Sequence, residues 1–213
     1  MSEWLRRQVS PRRVIRPEEI PMSTPLKVRD IRPAEFDALG RMMVEVYSSL
    51  DGFPKPADQP HYYEMLADIG RFTEKPSARV LVALSAEGDL IGGVVYFGDM
   101  AEYGSGGIAT SVKDASGIRL LGVAPEFRNA GAGKALARAC ILLAREEGHS
   151  QVILHTTQAM RVAWGLYERL GFARSEDLDF SQQGLPVFGF RLELKYSRNP
   201  GVVDVDPARI EPS

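Results

Sequence analysis

Residues 123–137 read VAPEFRNAGAGKALA. The stretch leaves an apolar run, GIRLLGV at 117–123, and enters an amphipathic segment, with Arg128, Gly131 and Gly133 crowded between the two. Glycines there let backbone N–H groups approach a ligand closely, a helix start leaves such groups unpaired, and a neighbouring arginine selects for negative charge. A phosphate-binding loop of the NTPase kind needs glycine at 128 and Ser or Thr at 135, where this chain has Arg128 and Ala135. A dinucleotide fingerprint needs a third glycine where Leu136 stands, and no βαβ partner with a ribose-binding acid is visible. What is left is an Arg-x-x-Gly-x-Gly turn suited to a pyrophosphate, or a glycine-rich helix start that binds nothing.

Working outward, the apolar positions Leu136, Ala139, Cys140 and Leu143 predict a helix over 133–147 that stops at Gly148. The run 117–125 predicts a strand, and Gly122 inside it points to a bulge or a close backbone approach. Downstream, QVILHTT (151–157) is a strand, MRVAWGLYERL (160–170) a helix ending at Gly171, and VFGFRLEL (187–194) a last strand. Upstream, LKVRDIRPAEF (26–36) reads as an edge strand running into a helix that carries Phe36, Leu39, Met43, Val46 and Tyr47 on one face. A loop at 51–60 and a short helix at 61–72 precede a hairpin of strands 79–85 and 90–100 turned by AEGD. The Gly- and Ser-rich segment 101–117 is long for a connection and is a candidate substrate loop. The order predicts a single α/β or α+β domain at 26–195 with a mixed sheet, between an N-terminal arm (1–25) and a C-terminal tail (196–213).

Composition narrows the classes. Lys and Arg number 26 against 28 Asp and Glu among 213 residues, so no global charge points to nucleic acid or membrane. One cysteine, Cys140, excludes an internal disulfide framework and fits a reducing compartment. The first twenty residues carry five arginines without the apolar core of a secretory signal, and Glu3, Glu18 and Glu19 count against a transit peptide. A cytoplasmic protein, monomer or homodimer, without a metal, is the expectation.

The segment Leu121-Gly122-Val123, Pro125, Arg128-x-x-Gly-x-Gly, Leu136 closely resembles the central motif of the GNAT superfamily of N-acetyltransferases. A second match follows at Ala163 and LYERLGF (166–172), which is similar to that family's penultimate helix, with its tyrosine at Tyr167. The resemblance spans roughly 26–195. It implies a GNAT-like, strongly twisted mixed sheet flanked by helices and splayed between the strands at 117–123 and 151–157. It also implies acetyl-CoA as co-substrate: pantetheine would pair with the backbone of Leu121, Gly122 and Val123, and Arg128, Asn129, Ala130, Gly131, Ala132, Gly133 and Lys134 would hold the pyrophosphate. Two positions depart from the pattern. Asn129 stands where many relatives have glycine, and Met160 where many have asparagine. One cofactor hydrogen bond is therefore expected to pass to His155 or Thr156.

The implied reaction is direct acetyl transfer to a primary amine of a small molecule in a ternary complex. The runners-up are an acyl-CoA-binding protein without turnover and an acetyltransferase of peptide N-termini. Tyr167 shares an apolar helix face with Ala163, Leu166 and Leu170, so by periodicity alone it is core; the resemblance makes it the acid for the departing thiolate. The Val123 N–H would polarise the acetyl carbonyl. His155 is either the general base or a hydrogen-bonded histidine at a strand end, with Glu45, Asp99, Glu102 or a water chain as rivals. Glu176, Asp177 and Asp179 in ARSEDLDF, with Glu102, are either a solvated turn or a seat for a cationic amine, and the second reading predicts a preference against acidic acceptors.

Overall fold

The computed structural model describes residues 26–194; the expected arm (1–25) and tail (196–213) lie outside the described residues. Strand β1 (Lys27–Asp30) leads into α1 (Phe36–Ser48), α2 (Pro60–Ala67), β2 (Ala78–Leu84) and β3 (Leu90–Phe97). Then come β4 (Ala115–Val123), α3 (Ala132–Glu146), β5 (Gln151–Thr156), α4 (Arg161–Arg169), β6 (Ala173–Arg174), β7 (Phe180–Gln182) and β8 (Leu185–Glu193). The strands form one sheet in the order β1-β2-β3-β4-β5-β8-β6, with β7 on β8. Every pairing is antiparallel except β4 with β5, which makes the sheet mixed.

Alternation along the strands sends side chains to two cores. Val80, Val82 and Leu84 of β2 pack with Leu39, Met43 and Val46 of α1, whereas Leu81 and Ala83 pack with Leu136 and Cys140 of α3. Helix α3 buries Leu136, Ala137, Cys140, Ile141 and Ala144, and Ala139 and Leu143 of the expected face are only half-buried. Cys140 is fully buried as a small apolar residue, and burial pushes its thiol up.

Three expectations are corrected in detail. The helix read at 61–72 ends at Ala67 and continues as a 3-10 turn over Ile69–Glu74. Segment 101–117 is not one open loop: it holds two 3-10 turns, and β4 already begins at Ala115. The acidic stretch after α4, read as a turn, contributes β6, a 3-10 turn over Glu176–Leu178 and the start of β7.

Strand β4 is the element that opens the molecule. Between the pairs Val95↔Arg119 and Gly93↔Gly122 there is one residue on β3 but two on β4, and Leu120 has φ +53°. This bulge reverses the pleat. Arg119 and Leu120 both lie on the α1 side, Gly122 follows there against Met43, and Leu121 and Val123 turn to the α3 side. A bulged strand bends, and β4 parts from β5 at once: their pairing ends at Ile118↔Leu154. Beyond it the backbone of 119–123 on that edge has no strand partner among the described residues. Gly122, expected to mark a bulge or a close backbone approach, lies directly after the bulge, and a Cβ there would press on the Met43 sulfur at 2.6 Å.

Candidate functional site

The split between β4 and β5 widens into a cavity of about 1030 Å³. Its walls come from α1 and the loop after it, from β4, from the glycine turn and the starts of α3 and α4, and from the end of β5 with β7 and β8. Of the residues singled out from the sequence, Leu121, Gly122, Val123, Arg128, Asn129, Gly131, Ala132, Gly133, Lys134, His155, Thr156 and Tyr167 all line it.

The turn is built for close approach. Asn129 has φ +68° and Gly131 φ +87°, so the backbone is left-handed at two positions flanking Ala130. Asparagine is the residue after glycine that tolerates this region best, which accounts for Asn129 where a glycine was expected. Ala130 donates its N–H to the Phe127 carbonyl, 3.3 Å, and is thereby engaged in the turn itself. In α3 the first N–H to find a carbonyl is that of Ala135, bonded to Gly131 at 3.0 Å. The N–H groups of Ala132, Gly133 and Lys134 before it have no such partner among the described residues, and they stand at the positive end of a fifteen-residue helix. A Cβ on Gly133 would sit 3.4–3.7 Å from Leu166, Leu121 and Val123, ordinary contact distances. The fold thus has room for a Cβ at Gly133, whose position lines the cavity.

Along β4, the Ala124 N–H bonds the Ile91 carbonyl on β3 at 2.9 Å. The N–H of Val123, one residue earlier, therefore points to the opposite edge, into the split. The Leu121 carbonyl accepts a long bond, 3.4 Å, from the Tyr47 hydroxyl. Across the split, the buried hydroxyls of Thr156 and Thr157 have no hydrogen-bond partner among the described residues. Buried polar groups are ordinarily paired, so these two mark a place for a ligand's polar groups. Unpaired N–H groups, an open strand edge and orphaned hydroxyls fit a molecule with a pyrophosphate at one end and amides along an extended arm, which is the chemistry of CoA.

Tyr167 is 5% exposed, and its hydroxyl has no hydrogen-bond partner among the described residues. Burial raises its proton affinity, so the phenol is held protonated. His155 is more constrained than a free base. Its Nε2–H donates to the Leu178 carbonyl at 3.0 Å, which leaves Nδ1 to accept from the Tyr103 hydroxyl, also 3.0 Å. Burial lowers its pKa and keeps the ring neutral. With both nitrogens taken, His155 has no donor to spare for the hydrogen bond expected of it or of Thr156, and the unpartnered Thr156 hydroxyl is the better candidate. Met160 stands at the N-cap of α4 without a side-chain cap bond and packs against the core.

The acidic residues do not face the cavity. Asp179 is bound by Arg174 at 2.7 Å and accepts the Gly189 N–H at 2.8 Å; Asp177 takes Ser175 at 2.7 Å and Arg191 at 3.0 Å. Glu102 accepts from Ser77 at 2.8 Å, and Glu176 is exposed on its turn. Asp177, held low by Ser175 and then Arg191, and Asp179, held low by Arg174, are both spent on holding β6, β7 and β8 together. The reading of a cationic-amine seat is overturned by these contacts. Asp99 likewise caps a 3-10 turn through the Ala101 N–H, and Glu45 lies on a separate surface groove.

Sequence reasoning passed over the other half of the cavity. Tyr47 meets Phe53 edge-on and Tyr62 meets it tilted, each with its ring centroid 5.7 Å away, and burial pushes Tyr62 up to about 12. Arg119 rises from β4 beside Tyr103. Its signal was present in the sequence as a lone charge inside the apolar run GIRLLGV. Among the described residues no helix is long and apolar enough to cross a membrane, and no group of three or more His, Cys, Asp or Glu is placed to hold a metal.

Residues 43–172, more than half of the chain, match the family described as Acetyltransferase (GNAT). Human N-acetyltransferase 8B is 42% identical over 55 residues, which cover 26% of this chain and 24% of that protein. The N-acetylaspartate synthetase of Danio rerio is 30% identical over 138 residues, covering 62% of this chain and 44% of that protein. The matched segments span less than half the length of these curated relatives. Among solved structures, the paia N-acetyltransferase of Thermoplasma acidophilum in complex with coenzyme A shares the fold, with a TM-score of 0.59 at 13% identity over 78% of this chain and 98% of that one. The motif, the split sheet and the match over its central part agree: this chain belongs to the GNAT family of acetyltransferases.

Proposed function

We propose that the protein is an N-acetyltransferase that carries the acetyl group of acetyl-CoA to a primary amine of a small molecule, directly, with both substrates bound together. The observation that carries this reading is the split at β4, with an N–H-lined turn at its mouth and Tyr167 in its wall. The names of the two curated relatives, an N-acetyltransferase and a synthetase of N-acetylaspartate, agree with transfer to nitrogen.

Arg128, Asn129 and Gly131 to Lys134 would hold the pyrophosphate, Leu121 to Val123 the pantetheine arm through main chain, and Thr156 one of its amides. When bound, acetyl-CoA supplies a thioester whose carbonyl carbon takes the amine nitrogen and whose sulfur leaves as thiolate. The Val123 N–H, aimed into the split, stabilises charge on the carbonyl oxygen. Tyr167 donates a hydrogen bond to the leaving sulfur. A phenol whose pKa lies above about 10 gives its proton to a thiolate of about 8.5 only uphill, by ~2 kcal/mol, so Tyr167 acts by hydrogen bonding more than by full transfer. His155, neutral and with Nδ1 on Tyr103, accepts the amine proton by way of the Tyr103 hydroxyl.

Thiol release from acetyl-CoA with a panel of small amines and a peptide with a free N-terminus tests the reading, with the acetylated product identified by mass. Release with small amines is the expected result. CoA binding by calorimetry with no release for any amine makes the protein a binder without turnover, and release with the peptide alone shifts the acceptor to protein N-termini.

A further inference from the structure

Arg119 is the feature of the cavity that cofactor binding does not use. It stands on the α1 side of the bulge, whereas Leu121 and Val123, which approach the glycine turn at Gly133, lie on the α3 side. Its Nη1 donates to the Tyr103 carbonyl at 2.6 Å and to the Gly104 carbonyl at 2.9 Å, and its guanidinium carbon is 5.6 Å from the Tyr103 ring centre. Both bonds use one nitrogen. No carboxylate forms an ion pair with Arg119 among the described residues, and its charge acts on Tyr47, Tyr62, Tyr103 and His155, which surround it. Nε and Nη2 of this half-buried guanidinium have no partner among the described residues, so they remain available to a ligand that supplies an anion.

The charge of the lining decides the sign of that ligand. Arg119, Arg128, Lys134, Arg161 and Arg169 line the cavity, and the single carboxylate among the lining residues is that of exposed Asp51. Arg128 and Lys134 belong to the pyrophosphate turn, and Arg161 and Arg169 to α4 beside it. Arg119 alone lies among the aromatic residues of the acceptor half. A planar fork with two free donors matches a carboxylate.

We propose that the acceptor is an amine that also bears a carboxylate, as an amino acid does, and that Arg119 holds this carboxylate while Tyr103 and His155 face the amine. The proposal rests on the reading of the protein as an acetyltransferase and names the acceptor class of that same site.

The test compares free amino acids with their amides in acetyl-CoA thiol release, for wild type, Arg119→Lys and Arg119→Gln. Wild type is expected to favour the carboxylate over the amide at least ~10-fold in kcat/KM. Arg119→Gln should bring that ratio close to one, and Arg119→Lys should restore part of it. Calorimetry of N-acetyl amino acids against N-acetyl amino amides on the CoA-loaded protein reads the same preference without turnover. Amides accepted as well as acids by wild type overturn the proposal, as does an Arg119→Gln variant that loses activity on both alike with the ratio intact, since that is a purely structural role for its bonds to Tyr103 and Gly104. Transfer to no amine at all overturns the acetyltransferase reading itself, whatever Arg119 does.

Discussion

Glycine at 122, 131 and 133 looks alike in the sequence and serves three different ends. Gly131 supplies a left-handed residue at the α3 N-cap, Gly122 makes way for Met43, and Gly133 lines the cavity. The sequence pattern therefore brought these glycines to one cavity but did not separate their roles, because spacing encodes proximity and not which neighbour fills the gap. Gly133→Val should leave thermal stability nearly unchanged and weaken CoA binding more than tenfold, ~1.4 kcal/mol, as read by calorimetry. Unchanged affinity would remove the turn from the cofactor site. Tyr167→Phe keeps the ring against Phe172, 5.9 Å between centroids, and removes only the hydroxyl. Turnover is expected to fall ~10²-fold with CoA affinity intact. A fully active Phe variant would leave Tyr167 as packing, the reading that helix periodicity alone favours.

At the level of elements, the long apolar segments were legible and the short polar ones were not. The helix starting at Phe36, the hairpin at 78–97 and the βαβ core around α3 carry clear periodicities, and each forms within a few residues of its expected bounds. Strands β6 and β7 have two and three residues, too short for any period to register, and their order rests on the pairs Arg174–Asp179 and Arg191–Asp177 and on pairing with β8, none of which has a periodic signature. The aromatic wall of the cavity escaped for a related reason. Tyr47 and Tyr62 come from two helices whose contact depends on Gly40, where a Cβ would collide with the Ala67 carbonyl of α2. A backbone atom cannot rotate away as a side chain can. Gly40→Ala should thus cost about 1–3 kcal/mol of stability in denaturant unfolding, by forcing α1 and α2 apart. In the same variant KM for the amine should rise more than KM for acetyl-CoA, because the displaced helices carry the tyrosines and not the turn.

Over the whole molecule, protonation ties the site to the stability of the fold. Arg29 holds Glu35 down to about 2, tying β1 to the start of α1, and Arg79 lowers Asp30 across β1 and β2. Arg174 does the same for Asp179, and Ser175 with Arg191 for Asp177, at the other end of the sheet. Carboxylates with depressed pKa values favour the folded state above their unfolded values and lose that contribution as pH falls through about 4 and below. His155 acts in a higher window. Burial favours its neutral form, so the unfolded chain takes up a proton near pH 6.5 that the folded one refuses, and stability declines from there down to the lowered folded value. The melting temperature should therefore be level above about pH 7, fall once below about 6.5, and fall again below about 4. His155→Gln can keep a polar contact with Leu178 or Tyr103 and cannot titrate. It should abolish the first decline and spare the second, whereas the same two-stage profile in that variant would show that His155 is not the group responsible. Acetyl transfer in wild type should hold through the upper part of that window, where native His155 stays neutral, and lose rate as pH falls through its lowered folded value, because a protonated His155 can no longer accept through Tyr103. An unchanged rate in His155→Gln would assign the base elsewhere.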